Sequence, residues 1–85
     1  MTQVTLVTTV DCHLCDDARM VVEQVLAAFP QVVLTERSLL DDRALREEFA
    51  EDVPVVIVDG RVHSTWFVDA DRLRRRLDRA ATAHP

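Results

Sequence analysis

The order of apolar patterns in this 85-residue chain predicts an α/β fold: a four-stranded mixed sheet, βαβ-α-ββα, flanked by helices. Three observations predict it. Residues 4–10 and 54–58 are short, β-branched and apolar, as strands are. Between them, Leu14, Ala18, Val21, Val22, Val25, Leu26 and Phe29 recur at steps of three and four, the stripe of an amphipathic helix. Asp59-Gly60, set between two strand-like runs, is the signal of a two-residue hairpin.

Each element follows in order. Residues 4–10 form the first strand, and Asp11, Asp16 and Asp17 supply carboxylate at the start of the first helix, where the dipole favours it. Pro30 ends that helix, and residues 31–38, with Val32, Val33 and Leu34, form the second strand. A helix joins these two strands, so they run parallel with a right-handed crossover. Asp41 and Asp42 open a short helix with Leu45 and Phe49 inward. Residues 61–66 return antiparallel to 54–58, with His63 solvated on that strand and Trp66 packing at its end. Asp69 caps a last helix whose inner side carries Leu73, Leu77, Ala80 and Ala81, and His84 and Pro85 are expected to fray. The pattern alone leaves several α/β sandwiches open.

At this length one domain, residues 1–85, is expected, burying roughly 60–65% of its unfolded surface. The chain has no lysine and ten arginines, yet its net charge is −5, which argues against nucleic acid as a partner. The arginines at 72, 74, 75, 76 and 79 read as a solvated helix face. No apolar run approaches the ~18–20 residues of a membrane span, and no basic stretch precedes an apolar run as in a signal peptide. A monomer in the cytoplasm is the expected setting, with thiols kept reduced.

Cys12 and Cys15 stand where the first strand feeds the first helix. At a helix N-terminus, N–H groups and the dipole favour an anion, which raises the thiolate fraction. A spacing of three brings both sulfurs to one side, within disulfide reach. A disulfide closing so short a loop restrains the unfolded chain little, so a reversible dithiol fits better than a structural staple. A metal or iron–sulfur site and two inert buried thiols are the other readings. A zinc site normally needs a second ligand pair. His13, when protonated, steadies a neighbouring thiolate. Asp11, Asp16 and Asp17 work against it, so the couple is expected to be reducing, on the order of −220 to −270 mV. Pro54 opens a strand, a position where proline is sterically ordinary.

The run Cys12-His13-Leu14-Cys15 after a strand, then Val53-Pro54, Asp59-Gly60 and the helix capped by Asp69 resembles the glutaredoxins, and more closely the short bacterial glutaredoxin-like domains. The likeness covers roughly residues 3–80. It implies a thioredoxin-like fold and a thiol–disulfide oxidoreductase. By position, Cys12 would attack, Cys15 would resolve, Val53 would offer backbone hydrogen bonds to an extended substrate, and Pro54 would be cis. No bound organic cofactor is implied. Glutathione or thioredoxin would serve as external reductant, and a disulfide-containing protein or small thiol as substrate. Three departures stand out. His13-Leu14 replaces the usual Pro-Tyr or Pro-Phe, Thr9 stands where a lysine is common, and Trp66-Phe67-Val68 replaces a Gly-Gly pair. The last two make glutathione a poor expected partner.

Overall fold

Alternation along β1 (Gln3–Thr8) sends Val4 and Leu6 to one face of a sheet and Val7 to the other. In the computed structural model, which describes residues 2–83, that alternation divides the core into two layers. The elements are β1, α1 (His13–Leu26), β2 (Val33–Ser38), α2 (Arg43–Phe49), β3 (Val55–Val58), β4 (Arg61–Thr65) and α3 (Ala70–Ala83). The sheet order is β2-β1-β3-β4. β1 pairs parallel with β2 and antiparallel with β3, and β3 pairs antiparallel with β4.

On one face, Val4, Leu6, Val56 and Val58 meet Ala18, Val22 and Val25 of α1 and Leu73 and Leu77 of α3. On the other, Val7 and Val55 meet Leu39 and Phe49, with Leu45 of α2 packed alongside. Each fully buried Leu or Val side chain contributes about 1.5–3 kcal/mol relative to exposure. The hairpin turn has the predicted chemistry: Asp59 (φ 49°) and Gly60 (φ 82°) are both left-handed. Asp59 is also tied to the first strand, its Oδ1 accepting from the Gln3 N–H at 2.9 Å.

Several boundaries differ from expectation. α1 stops at Leu26, because Ala28 and Phe29 form tight turns onto Val25 and Leu26 before Pro30. The residue before a proline avoids the helical region, so the helix is left early. Phe29 is buried all the same. β2 begins at Val33 rather than residue 31, since Val32 closes a turn onto Phe29. Ala81 is exposed rather than inward. The expectation for His84 and Pro85 lies outside the described residues. Among the described residues no helix is long and apolar enough to cross a membrane.

Candidate functional site

Three residues separate the last residue of β1 from Cys12, and the turn is made by Asp11 at φ 52°. Asp is one of the few side chains that tolerates this left-handed region. Cys12 then takes the N-cap position of α1 in extended conformation, and its Sγ accepts the Cys15 N–H at 3.1 Å. A cysteine sulfur thus occupies the position usually held by a Ser, Thr or Asp oxygen. Cys12 and Cys15 are joined as a disulfide, their Cα atoms 5.2 Å apart. Cys12 is half-buried, whereas Cys15 is 1% exposed and faces the core. The sulfur that reaches solvent is therefore the one at the helix start.

Val53-Pro54 is a cis peptide bond, as the resemblance implied. The strand register places it relative to the dithiol. Val7 pairs with Val55, and Val55 pairs with Thr65. Thr8, Pro54 and Trp66 therefore end the same row across β1, β3 and β4. The row spans about 10 Å at the usual spacing between neighbouring strands. The chain leaves this edge from Thr8 into the Cys12 turn. Pro54 itself is buried and its carbonyl accepts the Trp66 N–H at 2.8 Å. Val53 is half-buried, beside the Val55 layer. His13 is the first residue of α1 and is exposed.

The same edge carries exposed apolar side chains: Val10 (60%), Leu14 (37%), Trp66 (50%) and Phe67 (72%). The sequence suggested packing for Trp66. Instead its φ is 66°, its ring is half exposed, and its Nε1–H donates to the Glu51 carbonyl at 3.0 Å. Of the carboxylates near the dithiol, Asp16 is ion-paired with Arg19 at 3.0 Å. Arg19 reaches Glu36 as well, at 2.7 and 2.8 Å, and Thr8 Oγ1 donates to Glu36 at 3.3 Å. The Arg19 hydrogen bond, its charge and the Thr8 hydroxyl hold the Glu36 carboxyl below its usual range against some burial. The three-residue spacing of Asp16 and Arg19 was visible in the sequence; the Glu36 partner depends on the register of β1 and β2. Among the described residues, His, Cys, Asp and Glu form no group of three or more placed to hold a metal ion.

The sequence matches the glutaredoxin-like domain (DUF836) over residues 3–78. The chain belongs to this family. A solved relative of the glutaredoxin-like domain, structural-genomics target protein XcR50 from X. campestris, is 36% identical. It superposes with a TM-score of 0.72 over 96% of this chain and 99% of that one. An uncharacterized protein of Mycobacterium tuberculosis is 49% identical over 41 residues, which is 48% of this chain and 42% of that protein. The match thus spans less than half the length of that mycobacterial relative. Chloroplastic thioredoxin z, at 12% identity, has a TM-score of 0.79 over 96% of this chain and 80% of its own. That likeness shows a thioredoxin fold. The glutaredoxin-like domain here therefore joins a thioredoxin fold to a CxxC pair able to form a disulfide.

Proposed function

We propose that this protein is a thiol–disulfide oxidoreductase working through a reversible Cys12–Cys15 dithiol. The observation that carries the reading is Cys12 at the N-cap of α1, its sulfur receiving a backbone N–H and partly open to solvent while Cys15 lies beneath it. N–H donors at a helix start stabilise a thiolate. In the reduced protein the Cys12 thiolate attacks one sulfur of a substrate disulfide. A Cys12–substrate disulfide forms, and the other substrate sulfur leaves as a thiolate that takes up a proton. The Cys15 thiolate then attacks Cys12 Sγ, the mixed disulfide breaks, and the second substrate thiol leaves. Two electrons pass from the dithiol to the substrate, and the Cys12–Cys15 disulfide remains.

Val53, one residue before Pro54 at the same edge, is the proposed backbone contact for an extended substrate segment. His13 is the proposed source of positive charge beside the nucleophile. The apolar side chains at 10, 14, 66 and 67 favour a disulfide-bearing protein over glutathione, whose charged groups they do not complement. The proposed setting is the cytoplasm, the protein acting as a monomer with no organic cofactor. Thioredoxin, or less efficiently glutathione, returns the disulfide to the dithiol.

The test is turnover of a peptide disulfide and of bis(2-hydroxyethyl) disulfide by the reduced protein. Cys12→Ser should abolish both. Cys15→Ser should accumulate a mixed disulfide on Cys12, seen as an adduct by mass spectrometry. Turnover that survives Cys12→Ser would refute the reading.

A further inference from the structure

Trp66 is the middle residue of a three-residue turn: the Phe67 N–H donates to the Thr65 carbonyl at 2.8 Å, and Trp66 itself has φ 66°. A turn of this kind with positive φ is rare, and a bulky side chain there is an outlier. Such a conformation persists only where its surroundings hold it. Here the surroundings are one short segment, residues 51–54, between the end of α2 and the start of β3. The Trp66 N–H donates to the Pro54 carbonyl at 2.8 Å and reaches the Asp52 carbonyl at 3.3 Å. The indole Nε1–H donates to the Glu51 carbonyl at 3.0 Å. A single residue thus binds the carbonyls at 51, 52 and 54.

The residue that these bonds step over is Val53. Its own N–H and carbonyl make no hydrogen bond among the described residues, while its side chain is half-buried against the Val55 layer. On the α2 side the segment is fixed by the Asp52 N–H, which donates to the Phe49 carbonyl at 2.9 Å. On the β3 side it is fixed by the pairing of Val55 with Val7 and Thr65. A backbone donor and acceptor left open in a tethered stretch are what an extended segment pairs with when it adds to a sheet edge. Ordering that stretch beforehand removes its entropy cost from binding. Trp66 is 50% exposed, so packing alone does not account for its strained turn.

We propose that Trp66 is a positioning residue for substrate: it straps residues 51–54 so that the Val53 N–H and carbonyl meet the backbone of a disulfide-bearing polypeptide. The inference rests on the oxidoreductase reading above and names the residue that sets its preference for a polypeptide over a small disulfide. Trp66 acts through Val53 and takes no part in the sulfur chemistry. Trp66→Phe is the test, because an aromatic ring is kept and the indole N–H is lost. Without substrate, the oxidised full chain is followed by the heteronuclear NOE of its amides. The wild type should be as rigid at residues 51–53 as in β3, and Trp66→Phe should show a clear drop there alone. A ring that served only as an apolar docking surface would leave these amides unmoved. With a disulfide-bonded peptide as substrate, Trp66→Phe should raise KM roughly three- to tenfold with kcat little changed, as for loss of one neutral hydrogen bond. The loss should be smaller on bis(2-hydroxyethyl) disulfide, which has no peptide backbone to pair with Val53. Wild-type NOE values at residues 51–53, an unchanged KM for the peptide, or equal losses on both disulfides would overturn the role of Trp66. A wild-type chain that turns over neither disulfide would instead overturn the oxidoreductase reading, and this one with it.

Discussion

Phe67→Ser should slow exchange with a protein disulfide while leaving a small neutral disulfide untouched. Phe67 is the second residue after β4, at the edge shared by Pro54 and the Cys12 turn, and is 72% exposed. A phenylalanine offers ~200 Å² of surface, so about 140 Å² of this side chain faces solvent. If a docked segment covers half of that, about 70 Å² leaves water, worth ~1.8 kcal/mol at ~25 cal/mol/Å². The corresponding loss in kcat/KM for a protein substrate is roughly 20-fold. The substitution removes little packing from the fold, so stability should change by no more than ~0.5 kcal/mol. The assay compares kcat/KM for a disulfide-bonded protein with that for bis(2-hydroxyethyl) disulfide. Equal losses on both substrates would mean that Phe67 supports the dithiol itself. An unchanged rate on the protein substrate would mean that nothing docks across this edge.

Leu77→Ala removes a side chain buried between the sheet and α1 and should cost about 2–5 kcal/mol. Urea unfolding would show it as a lower midpoint with an unchanged slope, while exposed Arg75→Ala should stay within ~0.5 kcal/mol. Asp42→Ala strips α2 of the oxygen that accepts from the Ala44 and Leu45 N–H groups, for a loss of about 1 kcal/mol. Asp42→Asn keeps the cap and should recover most of that in thermal melts. Glu36 tests the Arg19 network through pH. Its folded pKa is lowered, so its stabilisation is complete above the unfolded value of about 4.3 and is lost as pH falls through the folded value. The wild type should exceed Glu36→Gln by at most ~1 kcal/mol at pH 6, given the exposure of the pair, and the gap should close toward pH 3. A gap that widens on acidification would reverse the assignment.

Much of this architecture was legible in the residues themselves. The stripe from Ala18 to Val25 requires a buried helix face, Asp59-Gly60 requires a left-handed turn, and Asp42 and Asp69 cap the helices they precede. These are local effects, set by neighbours within a few positions. The CxxC was legible too, because the strand-to-helix junction on which it sits is a local pattern. What the tertiary structure decided depends on register. Pairing of Val7 with Val55 and of Val55 with Thr65 put Trp66 at the sheet edge of Pro54 and Cys12, and no spacing in the sequence encodes that row. Parallel pairing of β1 with β2 delivered Glu36 to Arg19, which also pairs with Asp16. The β3–β4 register slips by one residue at His63, which is half-buried where the sequence placed it in solvent. Local propensity says which residues form a strand or helix. The alignment of strands fixes which side chains meet, because it is settled by the combined burial of all of them.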